Sequence, residues 1–391
     1  MANRNLKDGN SIQKLDAQKL LKKLNKQAVK SIKSPDGDII DCVDILKQPA
    51  FDHPKLKNHK IRMRPSSYPE GIVFEESNVA SKSAPISQLW HQSGSCPEGT
   101  IPIRRITEED ILRTSSTQKF GEKNLQTSHL PSYAGGQRVN EHASIFVKGD
   151  KYYGGKGTMN VWNPKVLQDV EWSVSAIWVM NDADKQKLNA IFAGWRVNPY
   201  LYGDNRTRLF TFWTVSSNFQ MTGCYDLRCS GFIQLNAGVA VGSTIKPLSV
   251  YNDTNSQYDI TIMIWKDKSN GDWWMQYGAD KVMGYWPSSL FTHLSDSASI
   301  IQWGGQIVNA ATNGQHTTTQ MGSGQFPREH FGKASYFKNI KFVNGQNQMV
   351  PADNTFPQVD RPNCYDVQSG RSDDWGRFFY FGGPGRNPNC P

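Results

Sequence analysis

Chemistry on a β-sheet needs a carboxylate, an imidazole or an amide held against a substrate, and one stretch presents an amide in an unusual setting. Ser297–Asn309 reads SASIIQWGGQIVN. It alternates like a strand, drops its side chains at Gly304 and Gly305, and then offers Gln306. Side chains two residues apart share a face. Ile301, Trp303, Gly305 and Ile307 therefore form an apolar set, and Gln302, Gly304, Gln306 and Val308 a polar set that is thin at Gly304. NAIFAGWRVNP repeats the design, with Ile191, Ala193, Trp195 and Val197 on one face and Phe192, Gly194 and Arg196 on the other. Glycine within a strand marks a bulge or a close approach of another backbone. Two such strands predict a cleft over which a ligand passes. The competing reading is that the glycines relieve crowding at a bend in a curved sheet.

Other constellations are weaker. MGSGQF sets Ser323 between glycines but lacks the strand–elbow–helix frame of a nucleophilic serine. The eight histidines are scattered, His53 and His59 lie in a proline-rich piece, and CYDLRC lacks zinc-ligand spacing, so no metal site is expected. GGPGRNPNC is followed by no helix that would cradle a phosphate, and no cofactor is expected. Glu171 and Asp259 are carboxylates inside strand-like runs, whereas Asp204, Asp253, Asp272 and Asp296 sit in turn sequence.

The elements that must position these residues are short runs rich in Val, Ile, Trp, Tyr and Phe, bounded by turns such as KSNGD and VNGQN. From about residue 138 to 345 this rhythm predicts an all-β, two-sheet antiparallel sandwich of jelly-roll type. The hairpin WKDKSNGDWW turns at Asn270-Gly271. Before it, residues 11–32 predict a basic amphipathic helix. Residues 40–112 predict extended, proline-punctuated chain laid on another surface, and 107–113 a short helix capped by Thr107. Residues 114–135 predict a linker. The expected division is an N-terminal segment over 1–125 and a sandwich domain over 126–391.

Six cysteines, spaced as they are, favour the pairs Cys42–Cys96, Cys224–Cys229 and Cys364–Cys390. With the sequons at Asn205 and Asn252 they predict a secreted, glycosylated protein whose leader has been removed, destined for the extracellular space, cell wall or vacuole. No run approaches a membrane span. The net charge of +9 comes without a dense basic run in the second half, so no nucleic-acid partner is expected.

YGDNRTRLFTFWT, GCYDLRCSGFIQ, GYWPSSLF, WGGQIV, TQMGSGQF and FYFGGPGRNPNC resemble the neprosin domain of plants, and KSIKSPDGDIIDCVDILKQPAFDHP with CPEGTIPIRR resembles the activation peptide that precedes it. The resemblance spans nearly the whole chain. It implies a secreted β-sandwich with a propeptide and a glutamic endopeptidase cutting after proline at acid pH, without metal or cofactor. Two glutamates carry that chemistry, at positions that fall here on Phe192 and Gln306. The expectation is therefore a cleft that binds a small molecule or proline-rich peptide, shaped by Gln302, Arg196 and the glycines 194, 304 and 305, and does not cut. Phe192 and Gln306 are expected to face each other within reach of one substrate atom. The alternatives are an acid peptidase using other carboxylates, Glu171 first, and a structural or interaction protein of the cell wall. Small-molecule cyclisation or isomerisation is the non-hydrolytic chemistry such a cleft would suit. Oligomeric state is not indicated.

Overall fold

The protein is described here from a computed structural model, for residues 17–72, 87–113, 138–182, 188–215, 223–310 and 314–391. Residues 17–24 form helix α1. Strands β1 (Ala28–Lys33), β2 (Ile39–Asp44) and β3 (Thr100–Arg104) follow, then α2 (Glu108–Arg113). Next come β4 (Val139–Tyr152), β5 (Gly154–Asn160), β6 (Ser173–Asn181), β7 (Asn189–Val197), the short α3 (Pro199–Tyr202), β8 (Arg208–Thr214), β9 (Cys224–Tyr225) and β10 (Ile233–Gln234). The chain continues through β11 (Asp259–Lys266), β12 (Trp273–Tyr277), β13 (Lys281–Trp286), β14 (Ala298–Asn309), β15 (Ser335–Val343), β16 (Met349–Pro351), β17 (Phe356–Val359), β18 (Asp366–Ser372) and β19 (Gly376–Gly382).

Two large antiparallel sheets form the sandwich. The first runs β17-β4-β14-β6-β7-β8-β9. The second runs β10-β13-β12-β11-β5-β15-β19-β18, with β16 beside β15. Alternation dictates what lies between them: Ile301, Trp303, Ile307, Ile191, Ala193 and Trp195 from the first sheet pack against Ile262, Ile264, Met275, Phe337, Phe379 and Phe381 from the second. The expected faces of β7 and β14 are thus the observed ones. The three predicted cystines are present, with Cα–Cα separations of 5.4, 5.6 and 5.4 Å.

The N-terminal segment departs from expectation in two ways. The helix ends at residue 24, and the chain from Ala28 is a strand, because β1 finds a partner in β2 and a third strand in β3. Period-two burial replaces the helical stripe: Ile32 is buried while Val29 is exposed. The segment is expected to dock on the sandwich and cover part of the cleft; it does dock, but chiefly over the outer face of the second sheet. There Ala50, Phe51, Ile61 and Ile72 cover Met263, Trp265, Trp274 and Tyr285, and Tyr68 stacks on Trp265 at 5.3 Å. The turn before β2, His53 and α2 also reach the end of the first sheet, where Asp38 meets Arg208 and His53 packs on Trp213 of β8. Thr107 caps α2 as expected, its Oγ accepting the Asp110 N–H at 3.2 Å, and Asp110 returns the bond by accepting the Thr107 N–H at 3.1 Å. The expected linker lies outside the described residues.

Carboxylates fasten the small sheet and α2 to the sandwich. Asp38 meets Arg208 at 2.6 Å and Arg104 at 2.9 Å, and Asp110 meets Arg104 at 3.0 Å. Burial pushes the Asp110 carboxyl up, but the Arg228, Arg104 and Arg113 guanidiniums and the Thr107 N–H outweigh it and hold it below the usual range. Asp36 is lowered too: burial raises it, and hydrogen bonds from Ser34, Thr244 and the Asp38 backbone prevail. A depressed carboxyl contributes stability above its unfolded value and loses it as pH falls through its folded one. We expect docking to persist at mildly acid pH and to loosen only below about pH 4. Hydrogen exchange of β1–β3 against pH checks this; loosening already near neutrality would contradict it.

Candidate functional site

The face of the first sheet turned away from the sandwich core carries the candidate residues Phe192, Gly194, Arg196, Gln302, Gly304 and Gln306, whereas Gly305, expected to line the cleft, points into the core. Register, rather than sequence alone, decides how they meet. One row across the strands runs Phe356, Phe146, Gln302, Trp178, Phe192, Phe212 and Tyr225. The next runs Gln358, Ser144, Gly304, Ala176, Gly194 and Phe210. The third runs His142, Gln306, Val174, Arg196 and Arg208.

Phe192 and Gln306 therefore share a face but do not oppose each other. Strand β6 lies between their strands, and Phe192 is level with Gln302, four residues before Gln306. At about 4.8 Å between strands and 3.3 Å per residue, they stand about 10 Å apart across the sheet and 13 Å along it. Two side chains so placed cannot touch one substrate atom, so that expectation is corrected: the alternation gave the face, and the intervening strand sets the offset. Phe192 packs instead among Trp178 and Phe212, at ring distances of 6.0 and 5.4 Å, in an apolar cluster with Val174, Leu201, Tyr202 and Tyr225.

The glycines answer first to the sheet itself. A Cβ on Gly194 would lie 2.0 Å from the Ser175 carbonyl oxygen, and one on Gly304, whose φ is +149°, 2.5 Å from Ser144 Cα. Gly305 faces the core, where Met321 and Phe381 fill the space a Cβ would take. Crowding between strands thus requires Gly194 and Gly304, and core packing requires Gly305. Gly304 and Gly194 still leave a consequence on the outer face, where Gly304, Ala176 and Gly194, all buried, lie side by side as a trough only in the sense of small side chains between the aromatic row and the third row.

A polar network borders the trough on β4, β14 and β17. Gln302 Nε2 donates to Ser144 Oγ at 2.7 Å and to Gln358 Oε1 at 3.2 Å. Asp360 Oδ2 accepts the His142 backbone N–H at 2.8 Å and lies 2.8 Å from His142 Nδ1. A carboxylate only accepts, so in that contact Nδ1 is the donor; Gln358 Nε2 also lies 3.2 Å from the same Nδ1. The hydrogen bond from His142 holds the Asp360 carboxyl below its usual range. Directly beside this ring in the register, Gln306 hydrogen-bonds no described residue. Sequence reading missed His142, Ser144, Gln358 and Asp360. NEHASIFV and FPQVD carry a period-two signal for them, but their partnership joins positions 218 residues apart.

The candidate carboxylates are committed elsewhere. Glu171 is fully buried; Oε1 accepts the Ala310 N–H at 2.8 Å, and Oε2 accepts the hydroxyls of Thr317, at 2.8 Å, and Thr319. Asp259 lies on the other sheet, paired with Lys338 at 2.6 Å and accepting from Tyr336 Oη at 2.9 Å. Asp226, also buried, accepts Tyr202 Oη at 2.8 Å and the Thr211 N–H at 3.1 Å. Among the described residues, His316, Cys364 and Cys390 come close enough to hold an ion, but both sulfurs belong to one cystine and are not thiolates.

Known proteins bear on this architecture. The Neprosin family matches residues 169–384, and the Neprosin activation peptide matches residues 31–146. Among solved structures, scytalido-glutamic peptidase with a peptide-based transition state analogue aligns at 13% identity, covering 63% of this chain and 100% of that one, with a TM-score of 0.34. SCP-B, a member of the eqolisin family of peptidases in complex with the tripeptide Ala-Ile-His, aligns at 10% identity over 63% of this chain and 98% of its own, with a TM-score of 0.32. The CBM40 of Ruminococcus gnavus IT-sialidase, bound to alpha2,6 sialyllactose, aligns at 7% identity over 45% of this chain and 93% of its own, with a TM-score of 0.20. The family match alone spans more than half of the sequence and continues into a matching activation-peptide segment, so this chain belongs to the neprosin family.

Proposed function

We propose that this neprosin-family protein binds a ligand in the cleft of its first sheet and does not cleave peptides. One observation carries the reading: the two positions that the family resemblance assigns to catalytic glutamates hold Phe192 and Gln306. A glutamic peptidase needs one group to take a proton from water and another to polarise the carbonyl. Gln306 could donate to an oxyanion, but a phenyl ring transfers no proton. Glu171, the first substitute weighed, has both oxygens occupied. No described carboxylate pairs with Gln306. Gln302, Arg196 and the trough at Gly194 and Gly304 shape the pocket, and isomerisation or cyclisation of a small molecule is the non-hydrolytic chemistry it suits.

The same reading places the boundary between propeptide and sandwich near residue 125 and the protein in an oxidising, extracytoplasmic compartment. Asn205 and Asn252, both exposed, are its glycosylation sites. No described helix is long and apolar enough to cross a membrane. The test is incubation with a proline-containing peptide at acid pH, beside a variant carrying Phe192→Glu and Gln306→Glu. We expect intact peptide with the natural protein, and with the double variant too, because the two positions stand too far apart on the sheet to act on one bond. Equal cleavage by both would refute the reading.

A further inference from the structure

Arg196 is 2% exposed, and its Nε is buried without a hydrogen-bond partner. No described residue forms an ion pair with it. Three rings box the guanidinium: Tyr225 at 4.5 Å, Phe210 at 5.2 Å and Trp172 at 5.6 Å. Asp226, a buried carboxylate that feels its charge, spends both oxygens on Tyr202 and Thr211. Neighbouring arginines are treated differently. Arg208, one strand over, has Asp38 and Asp204 each at 2.6 Å, and Arg104 has Asp38 and Asp110.

A buried cation normally has a partner, because desolvation costs several kcal/mol that only a well-placed counter-charge offsets. Cation–π contacts return part of that, about 0.5–2 kcal/mol apiece, but they satisfy no N–H. An orphaned buried donor calls for an explanation. The surroundings supply one. Arg196 projects from the cleft face in the same row as Gln306, whose amide hydrogen-bonds no described residue, with only Val174 between them. Alongside runs the trough of Gly304, Ala176 and Gly194, and beyond it the aromatic row of Trp178, Phe192 and Phe212.

We infer that Arg196 is the anchor for the carboxylate of a flat, apolar organic acid lying along this trough. This rests on the reading of the cleft as a binding site and adds the class of ligand. The guanidinium fork takes the two carboxylate oxygens, whose geometry it matches. The aromatic row receives the apolar body. The Gln306 amide is left to meet a carbonyl or hydroxyl on the ligand. Phe192 thereby acquires a positive role, as a wall that a glutamate at the same place would make repulsive to an acid.

The probe is trans-cinnamate, with cinnamamide as its uncharged twin, titrated into the full chain and followed by tryptophan fluorescence, since Trp172 and Trp178 flank the site. Saturable binding of cinnamate is expected, at least about tenfold tighter than cinnamamide, as for a hydrogen bond to a charged group. Arg196→Met should abolish that preference. Because Arg196→Met removes an unpaired buried charge, it should also melt no lower than the natural protein when no acid is present; Arg196→Lys keeps the charge but loses the fork and should bind cinnamate weakly. Equal binding of acid and amide, no saturable binding, or an acid preference that survives Arg196→Met would each overturn the inference. None of these bears on peptide cleavage, which is scored separately.

Discussion

Arg208→Met is expected to loosen the N-terminal sheet from the sandwich, at a cost of about 3–5 kcal/mol. Arg208 is fully buried and works as a rivet between segments distant in sequence. It meets Asp38 of the N-terminal sheet and Asp204 of the sandwich at 2.6 Å each, donates to the Gly242 carbonyl at 2.8 Å, and sits 5.0 Å from the Tyr202 ring. Removing one member of such a cluster leaves the others buried and uncompensated, which is why breaking a buried pair costs more than the pair is worth. Asp38 keeps Arg104, and Asp204 is partly exposed, so the lower part of the range is expected. Hydrogen exchange resolved along the chain checks it. β1, β2 and β3 should exchange faster, while β14 and β6, central to the first sheet, should not. Unchanged protection in β1–β3 would mean that the apolar cover over Trp265 and Trp274 alone holds the segment.

Glu171→Ala should cost at least about 3 kcal/mol, since it strands the Ala310 N–H and the Thr317 and Thr319 hydroxyls in the interior. Glu171→Gln retains an acceptor and should cost clearly less. Thermal melting of both variants measures the difference. The same pair separates structure from chemistry: a catalytic glutamate loses its activity on conversion to Gln while the fold survives. Two variants of equal stability would show that the carboxylate is not the hub its contacts describe.

How far the site was legible depends on the range of the signal. The faces of β7 and β14 follow from period-two alternation, a local property enforced by a core on one side only. Cystine partners followed from spacing, because each pair closes within its own segment. The offset between Phe192 and Gln306 was not legible, since it is set by β6, which pairs with both strands and whose register neither encodes. The same holds for His142 and Asp360, joined only through β4–β17 pairing. Residues 28–33 misled for a different reason. Their lysines and spaced apolar residues suit a helix in isolation, and pairing with β2 overrides that preference. Arg196 was legible as a residue of the outer face but not as an unpaired one, because a sequence does not show which carboxylates are already taken.

The central claim is a cleft that binds and does not cut. Its most direct measurement is the mass spectrum of a proline-containing peptide after prolonged incubation at acid pH with the natural protein and with Gln306→Ala. Loss of one general acid or base forfeits about 10²–10⁴ in rate, and with no proton-carrying group at either position the account predicts intact peptide in both samples. Cleavage after proline that persists in Gln306→Ala would contradict it and place the active carboxylates elsewhere in the molecule.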